Sequence, residues 1–244
     1  ALTVLAGALC LSASFVRAAV MSSTNYSLQS DSVNISGVDS SSTNYRVADT
    51  VGEVGTGLTS STNYSLYGGY QQMQEVFLSI SAVSDVTMSP SLGGTTGGTA
   101  NGSMAVTVTT DDPAGYTLSI SASTSPAMTS GANSIADYTP AGAVPDFDFT
   151  VAATDSEFGF TPEGTDIAAR YKDNGSACNT GASDTVNQCW DPLTTSLRTI
   201  AGRTSGNHPS GTATTVKFRL ISGASHVQAN GTYRATSTVT ALAL

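Results

Sequence analysis

Two histidines, His208 and His226, are all the imidazole this chain has for acid–base chemistry. Nucleophilic catalysis needs a Ser or Cys beside a base, with a third group orienting that base. His208 sits in Asn207-His208-Pro209, which reads as a loop, and His226 falls between candidate strands. Serine is too abundant to discriminate, and no Gly-x-Ser-x-Gly elbow occurs. Glycoside hydrolysis needs two positioned carboxylates. Glu157, Glu163, Asp146 and Asp148 are available, but a strand would put Asp146 and Asp148 on one solvated face opposite Phe147 and Phe149. The glycine run Gly93-Gly94-Thr95-Thr96-Gly97-Gly98 lacks the following Lys and helix of a phosphate loop. No catalytic constellation emerges, and the chain reads as a non-enzyme without a cofactor.

Ligand-binding chemistry has three candidates. Asp173, Asn174, Gly175, Ser176 and Asp184 gather oxygen atoms in one loop. Their spacing departs from the EF-hand pattern, and turn chemistry accounts for them better, so no metal is expected. Cys178 and Cys189 flank a polar, Gly-containing loop. A lone pair of this kind in an exported chain reads as a disulfide. Zinc is the rival, but it wants about four ligands, and only His208 and His226 could join. Trp190, Tyr171 and Tyr138 are candidate contact residues for stacking on a sugar.

These residues need elements to carry them, and the composition favours strands. Only 11% of the 244 residues are charged, and Ser, Thr, Gly, Asn and Ala fill the gap. Thr has real strand propensity, and hydroxyls can face solvent without charge. The net charge is −9, from 18 acidic and 9 basic residues. That balance argues against nucleic acid and anionic lipid as partners, because both need clustered Lys and Arg.

Residues 1–18 read as a signal peptide already under way at the first residue of the chain. Leu2 to Leu11 is an apolar run of the right length, and Val16 and Ala18 stand at −3 and −1 of a cleavage point. The run is short for a membrane span, and no later stretch is long enough. An uncleaved anchor is the alternative. Cys10 would suit a lipoprotein only if a small residue preceded it, and Leu9 does.

Residues 19–75 contain a repeat. Ser-Ser-Thr-Asn-Tyr occurs three times, with Asn25-Tyr26, Asn44-Tyr45 and Asn63-Tyr64 at a period of 19. A fixed period means one structural unit reused. Each unit predicts a polar turn and a Tyr-x-Leu/Val strand. A second strand follows in the first two, at Ser32–Ile35 and Thr50–Val54, making short hairpins. The tyrosines form either a binding strip or, as the stronger reading, the small core of the array.

From residue 76 to 244, period-2 alternation predicts an antiparallel β-sandwich of about eight strands. The strands centre on Leu78–Ala82, Met104–Thr109, Tyr116–Ile120, Phe147–Val151, Phe158–Phe160, Val216–Leu220 and Tyr233–Ala241. Asp111-Asp112-Pro113-Ala114-Gly115 predicts a hairpin joining the second and third. Leu92–Gly102 and Ser121–Gly142 read as loops. Asp166–Arg170 reads as one helical turn. Residues 161–211 read as a long insertion carrying the disulfide, Trp190 and His208. The fold class is therefore all-β: a hairpin array, then a sandwich with a disulfide-bearing insertion.

Two groups of residues resemble a known kind of protein. The Ser-Ser-Thr-Asn-Tyr-x-Leu repeat followed by Gly68-Gly69-Tyr70-Gln71-Gln72-Met73 is similar to exported surface proteins of ultrasmall candidate-phylum bacteria. So are Val106–Ile120, Asp173–Asn179 and Gly206–Thr212. The resemblance spans most of the chain after residue 18 and implies a cell-surface protein. A weaker similarity is to WxL-type wall-associated domains. Their Trp-x-Leu is absent, since Asp191 and Pro192 follow Trp190, so no binding residue is carried over.

The expectation is an extracellular or surface protein, cleaved near Ala18, with a structural or adhesive role. Its partners would be itself or other envelope components. The alternative is a carbohydrate-binding module using Trp190 and nearby tyrosines, with glycans as partners.

Overall fold

The computed structural model describes residues 76–142 and 145–244, and the backbone of six strands between residues 21 and 68. The expected signal peptide, the tyrosines and asparagines of the repeat signature, and the strand expected at Ser32–Ile35 lie outside the described residues. The chain divides after Glu75 into two units.

In the first unit six strands form three antiparallel pairs. They are β1 (Met21–Ser22) with β2 (Ser27–Leu28), β3 (Ser36–Ser41) with β4 (Arg46–Val51), and β5 (Gly57–Ser60) with β6 (Ser65–Gly68). Each pair flanks one copy of the repeated motif.

The second unit is all-β. Its described residues contain no α-helix, and their only helical turn is a 3-10 turn at Ala169–Tyr171, overlapping the end of the one expected at Asp166–Arg170. The strands are β7 (Leu78–Ile80), β8 (Gly98–Thr110), β9 (Tyr116–Ala122), β10 (Met128–Ser130), β11 (Asn133–Asp137), β12 (Ser156–Glu163), β13 (Asp191–Pro192), β14 (Arg198–Arg203), β15 (Thr212–Ser222), β16 (Arg234–Ala235) and β17 (Ser237–Ala243). One sheet of eight strands runs β16-β10-β11-β12-β15-β8-β7, with β13 paired to β12. A second sheet runs β14-β9-β17. All pairings are antiparallel except β11 with β12.

Alternation dictates how the two sheets meet. Val216, Phe218 and Leu220 of β15 are buried, while Lys217, Arg219 and Ile221 point the other way. Phe158 and Phe160 of β12, Val106 and Val108 of β8, and Tyr116, Leu118 and Ile120 of β9 join them in one core with Ile200 of β14. Each such side chain contributes about 1.5–3 kcal/mol on burial. At Gly102 an added Cβ would overlap Val86 and Met88, so the missing side chain lets the segment before β8 cover the core.

Several expectations are corrected. Asp111–Gly115 does not close a hairpin: β8 lies in the large sheet and β9 in the small one, so this turn carries the chain between layers. Gly115 has φ +92°, and a Cβ there would meet the Arg203 carbonyl, which requires glycine. Phe147–Val151 is not a strand; the residue before it, Asp146, makes an isolated bridge with Trp190. Ile80 and Ala82 are exposed, not core. Both predicted loops contain strands: β8 begins at Gly98, and β10 and β11 lie within Ser121–Gly142. The supposed insertion at 161–211 includes β14, which pairs with β9 and buries Ile200 and Ala201.

The ends of this unit converge on the inter-layer turn. The Phe77 N–H donates to Asp111 Oδ1 (2.7 Å), and the Leu244 N–H donates to the Gly115 carbonyl (3.2 Å).

Candidate functional site

The candidate contact aromatics are all interior. Tyr138, Tyr171 and Trp190 expose 2%, 1% and 1% of their surfaces, so none offers a ring face to a sugar. Tyr138 stacks on Phe149 (centroids 4.1 Å apart, planes 18°), and Phe149 meets Trp190 edge-on (5.2 Å, 85°). This cluster lies on the outer face of the large sheet. Gly159 of β12 makes room for it: an added Cβ would come within 2.9 Å of Phe149, Tyr138 and the Asp191 carbonyl. The Arg219 guanidinium covers the Trp190 ring at 4.3 Å. The Tyr138 hydroxyl donates to the Asp148 carbonyl (2.9 Å) or to Asp146 Oδ2 (3.1 Å). Burial, with the Asp146 carboxylate adding to it, pushes Tyr138 up to about 12.

Asp191 is a fully buried carboxylate that sequence reasoning missed. Arg170 grips it through two hydrogen bonds, Nε to Oδ2 (3.0 Å) and Nη2 to Oδ1 (3.1 Å). The Tyr171 hydroxyl donates to Oδ2 (2.9 Å), and Arg198 Nε stands 3.4 Å away. Burial and the Asp191 charge together raise Tyr171 far above the usual phenol range. No spacing rule links positions 170, 191 and 198; the 3-10 turn, β13 and β14 bring them together. A second network joins Tyr116, Asp166 and Arg203, with Arg203 also donating to Thr212 Oγ1.

The residues weighed for catalysis are dispersed. Neither histidine meets a serine hydroxyl or a carboxylate among the described residues. The His208 ring stands edge-on to Phe77 at 5.4 Å, and His226 pairs with the Thr154 carbonyl and Gln228. Asp146 and Asp148 lie in an irregular segment, not on the expected strand face, and Asp146 accepts the Ala141 N–H. Glu157 accepts the Thr139 N–H, and burial raises its pKa. The hollow beside it, about 390 Å³, is open and lined by Thr139, Thr150, Asp155 and Glu157 with small apolar side chains.

The disulfide expected between Cys178 and Cys189 is present, with Cα atoms 5.6 Å apart. In and just before the loop it closes, oxygen atoms organise the chain itself. Asp173 accepts the N–H and hydroxyl of Thr185 and the N–H of Gly175. Burial opposes the Asp173 charge, but these hydrogen bonds outweigh it and lower its pKa. Asn174 Oδ1 accepts from Ser176 and Ala177, and Asp184 accepts the Gly164 N–H.

No protein-family model, curated protein or solved structure matches the chain. The second sheet ends in a strand with one unpaired side. β17 pairs with β9 on one side, and no strand pairs with its other side among the described residues. Its sequence, Ser-Thr-Val-Thr-Ala-Leu-Ala, has no charge and no proline. Val239 and Ala241 face the core but are only half-buried, and Leu242 is 63% exposed. Edges are usually blunted by charge, proline or bulges; seven residues here carry none of these.

Proposed function

We propose that this chain is an exported surface protein with a structural or adhesive role, making its contacts through strand edges. The unpaired, uncharged edge of β17 carries the reading, because its outer side makes no strand pairing among the described residues and its apolar side chains are half-covered, which suits an incoming strand. The three strand pairs of the first unit, read as successive 19-residue hairpins, would add further edges. The disulfide fits an oxidising compartment, and the resemblance to exported surface proteins points the same way.

The test combines sedimentation of the purified chain, binding to isolated envelopes, and fractionation of source cells. The expected result is self-association or envelope retention, lost in a Thr240→Lys variant that melts like the parent. A strictly monomeric chain with no affinity for envelopes would remove the proposal.

A further inference from the structure

Three side chains on the outer face of the large sheet form a reactive-looking group that plays no part in the proposed contacts. Glu163 ends β12 and Lys217 lies on β15. The strand register pairs Lys217 with Thr161 and Glu163 with Thr215, so the two are diagonal neighbours on one face. Lys217 Nζ stands 2.8 Å from Glu163 Oε1. The third member is Asn187, in the loop closed by the disulfide. Its side-chain Oδ1 accepts from Lys217 Nζ at 3.1 Å, and its own backbone N–H donates to Glu163 Oε1 at 2.7 Å.

The backbone of Asn187 is held there by more than its bond to Glu163. Asn187 has φ +60°, a left-handed conformation that Asn tolerates, and its backbone carbonyl accepts the Trp190 indole N–H at 2.8 Å. The neighbouring Gln188 carbonyl accepts the Thr161 hydroxyl. The Lys217 and Glu163 side chains are mostly covered, 23% and 15% exposed. An amine, a carboxamide and a carboxylate thus share one contact point on a rigid support.

We propose that Lys217 and Asn187 join in an isopeptide bond, with Glu163 carrying the protons. A proton passes from Nζ to the Glu163 carboxylate, which frees the lone pair of the amine. Nζ attacks Asn187 Cγ, and the carbonyl electron pair moves onto Oδ1. The pair returns, the Cγ–Nδ2 bond breaks, and Nδ2 takes up the proton held by Glu163 and leaves as ammonia. The second Nζ proton follows, so that a lysine ammonium and a carboxamide become an amide and an ammonium ion. No oxidant, metal or nucleotide is consumed. Fixed proximity supplies the rate: well-oriented groups reach effective concentrations of about 10⁵–10⁸ M, and a positioned proton carrier adds about 10²–10⁴-fold. The product ties the middle of β15 to the disulfide loop.

Intact mass spectrometry of the folded, oxidised chain tests this directly. The expected mass is lower than the sequence mass by one ammonia, beyond the disulfide hydrogens. Trypsin should release a branched product joining residues 173–198 to 204–219, with Lys217 uncleaved. Lys217→Arg and Glu163→Gln should keep the ammonia and give separate peptides. Succinimides at Asn101-Gly102, Asn174-Gly175 and Asn230-Gly231 would also lose ammonia, but they persist in Lys217→Arg and link no peptides. Full mass and separate peptides from the folded parent, after prolonged incubation from neutral to mildly alkaline pH, would overturn the proposal whatever the variants do.

Discussion

Asp191 has no solvent contact, and Arg170 closes on it with two parallel hydrogen bonds of 3.0 and 3.1 Å. Asp191 sits where β13 pairs with β12 and accepts the Tyr171 hydroxyl. Removing the carboxylate would strand Arg170 and leave the Tyr171 hydroxyl without its acceptor. Asp191→Ala should therefore cost about 3–5 kcal/mol, the range for breaking a buried pair. Both arginines keep partial solvent access, which favours the lower end. Urea unfolding of parent and variant measures it, and a loss below 1 kcal/mol would contradict the role given to Asp191.

The disulfide closes a short loop, with Cys178 and Cys189 eleven positions apart. Chain-entropy arguments give about 3 kcal/mol or less for a loop of this size. Reduction, or a double Cys→Ser variant, should lower unfolding stability by about 2–3 kcal/mol while the β-sheet circular dichroism persists.

Gly159 is the opening through which the Tyr138–Phe149–Trp190 layer reaches the sheet. Gly159→Ala should push the layer outward and cost about 1–3 kcal/mol, as overpacking does. Trp190 fluorescence should shift to the red as its ring gains water. An unchanged spectrum and midpoint would show that the layer does not need the gap.

Stability should fall at both ends of the pH scale. Asp173 has a lowered folded pKa, so its contribution is complete above the unfolded value of about 3.9 and disappears as acid carries the pH down through the folded value. Tyr138 is shifted the other way, from 10.0 to about 12. Its stabilising effect is complete below pH 10.0 and is lost as pH rises towards 12. Unfolding titrations of Asp173→Asn and Tyr138→Phe should each show one limb flattened and the other kept.

Several of the core strands were legible in the sequence. Val216, Phe218 and Leu220 alternate with polar neighbours, and burial follows that alternation residue by residue. The cysteine pair was legible for the same local reason. What misled was adjacency. Asp111–Gly115 has the chemistry of a hairpin turn, yet Val108 of β8 finds its partner in Thr212, far along the chain. Pairing over that separation leaves no local mark. Trp190, Tyr171 and Tyr138 looked available because they sit among polar, turn-forming residues. They are interior because β12 and β15 are covered on both faces, a fact of layering. Asn187 leaves no mark in the sequence for a related reason: one loop asparagine among several stands out only once Glu163 and Lys217 are placed beneath it.

The convergence of residues 77 and 244 on the Asp111–Gly115 turn bears on how the second unit would carry tension. A pull applied between its two ends acts across one corner, with β7 and β17 peeling from their neighbours one hydrogen bond at a time. The long β8–β15 and β12–β15 ladders then lie off the line of force. Such a unit yields first at its seam and keeps its centre folded, behaving as a pendant on a strained thread and not as a link in it.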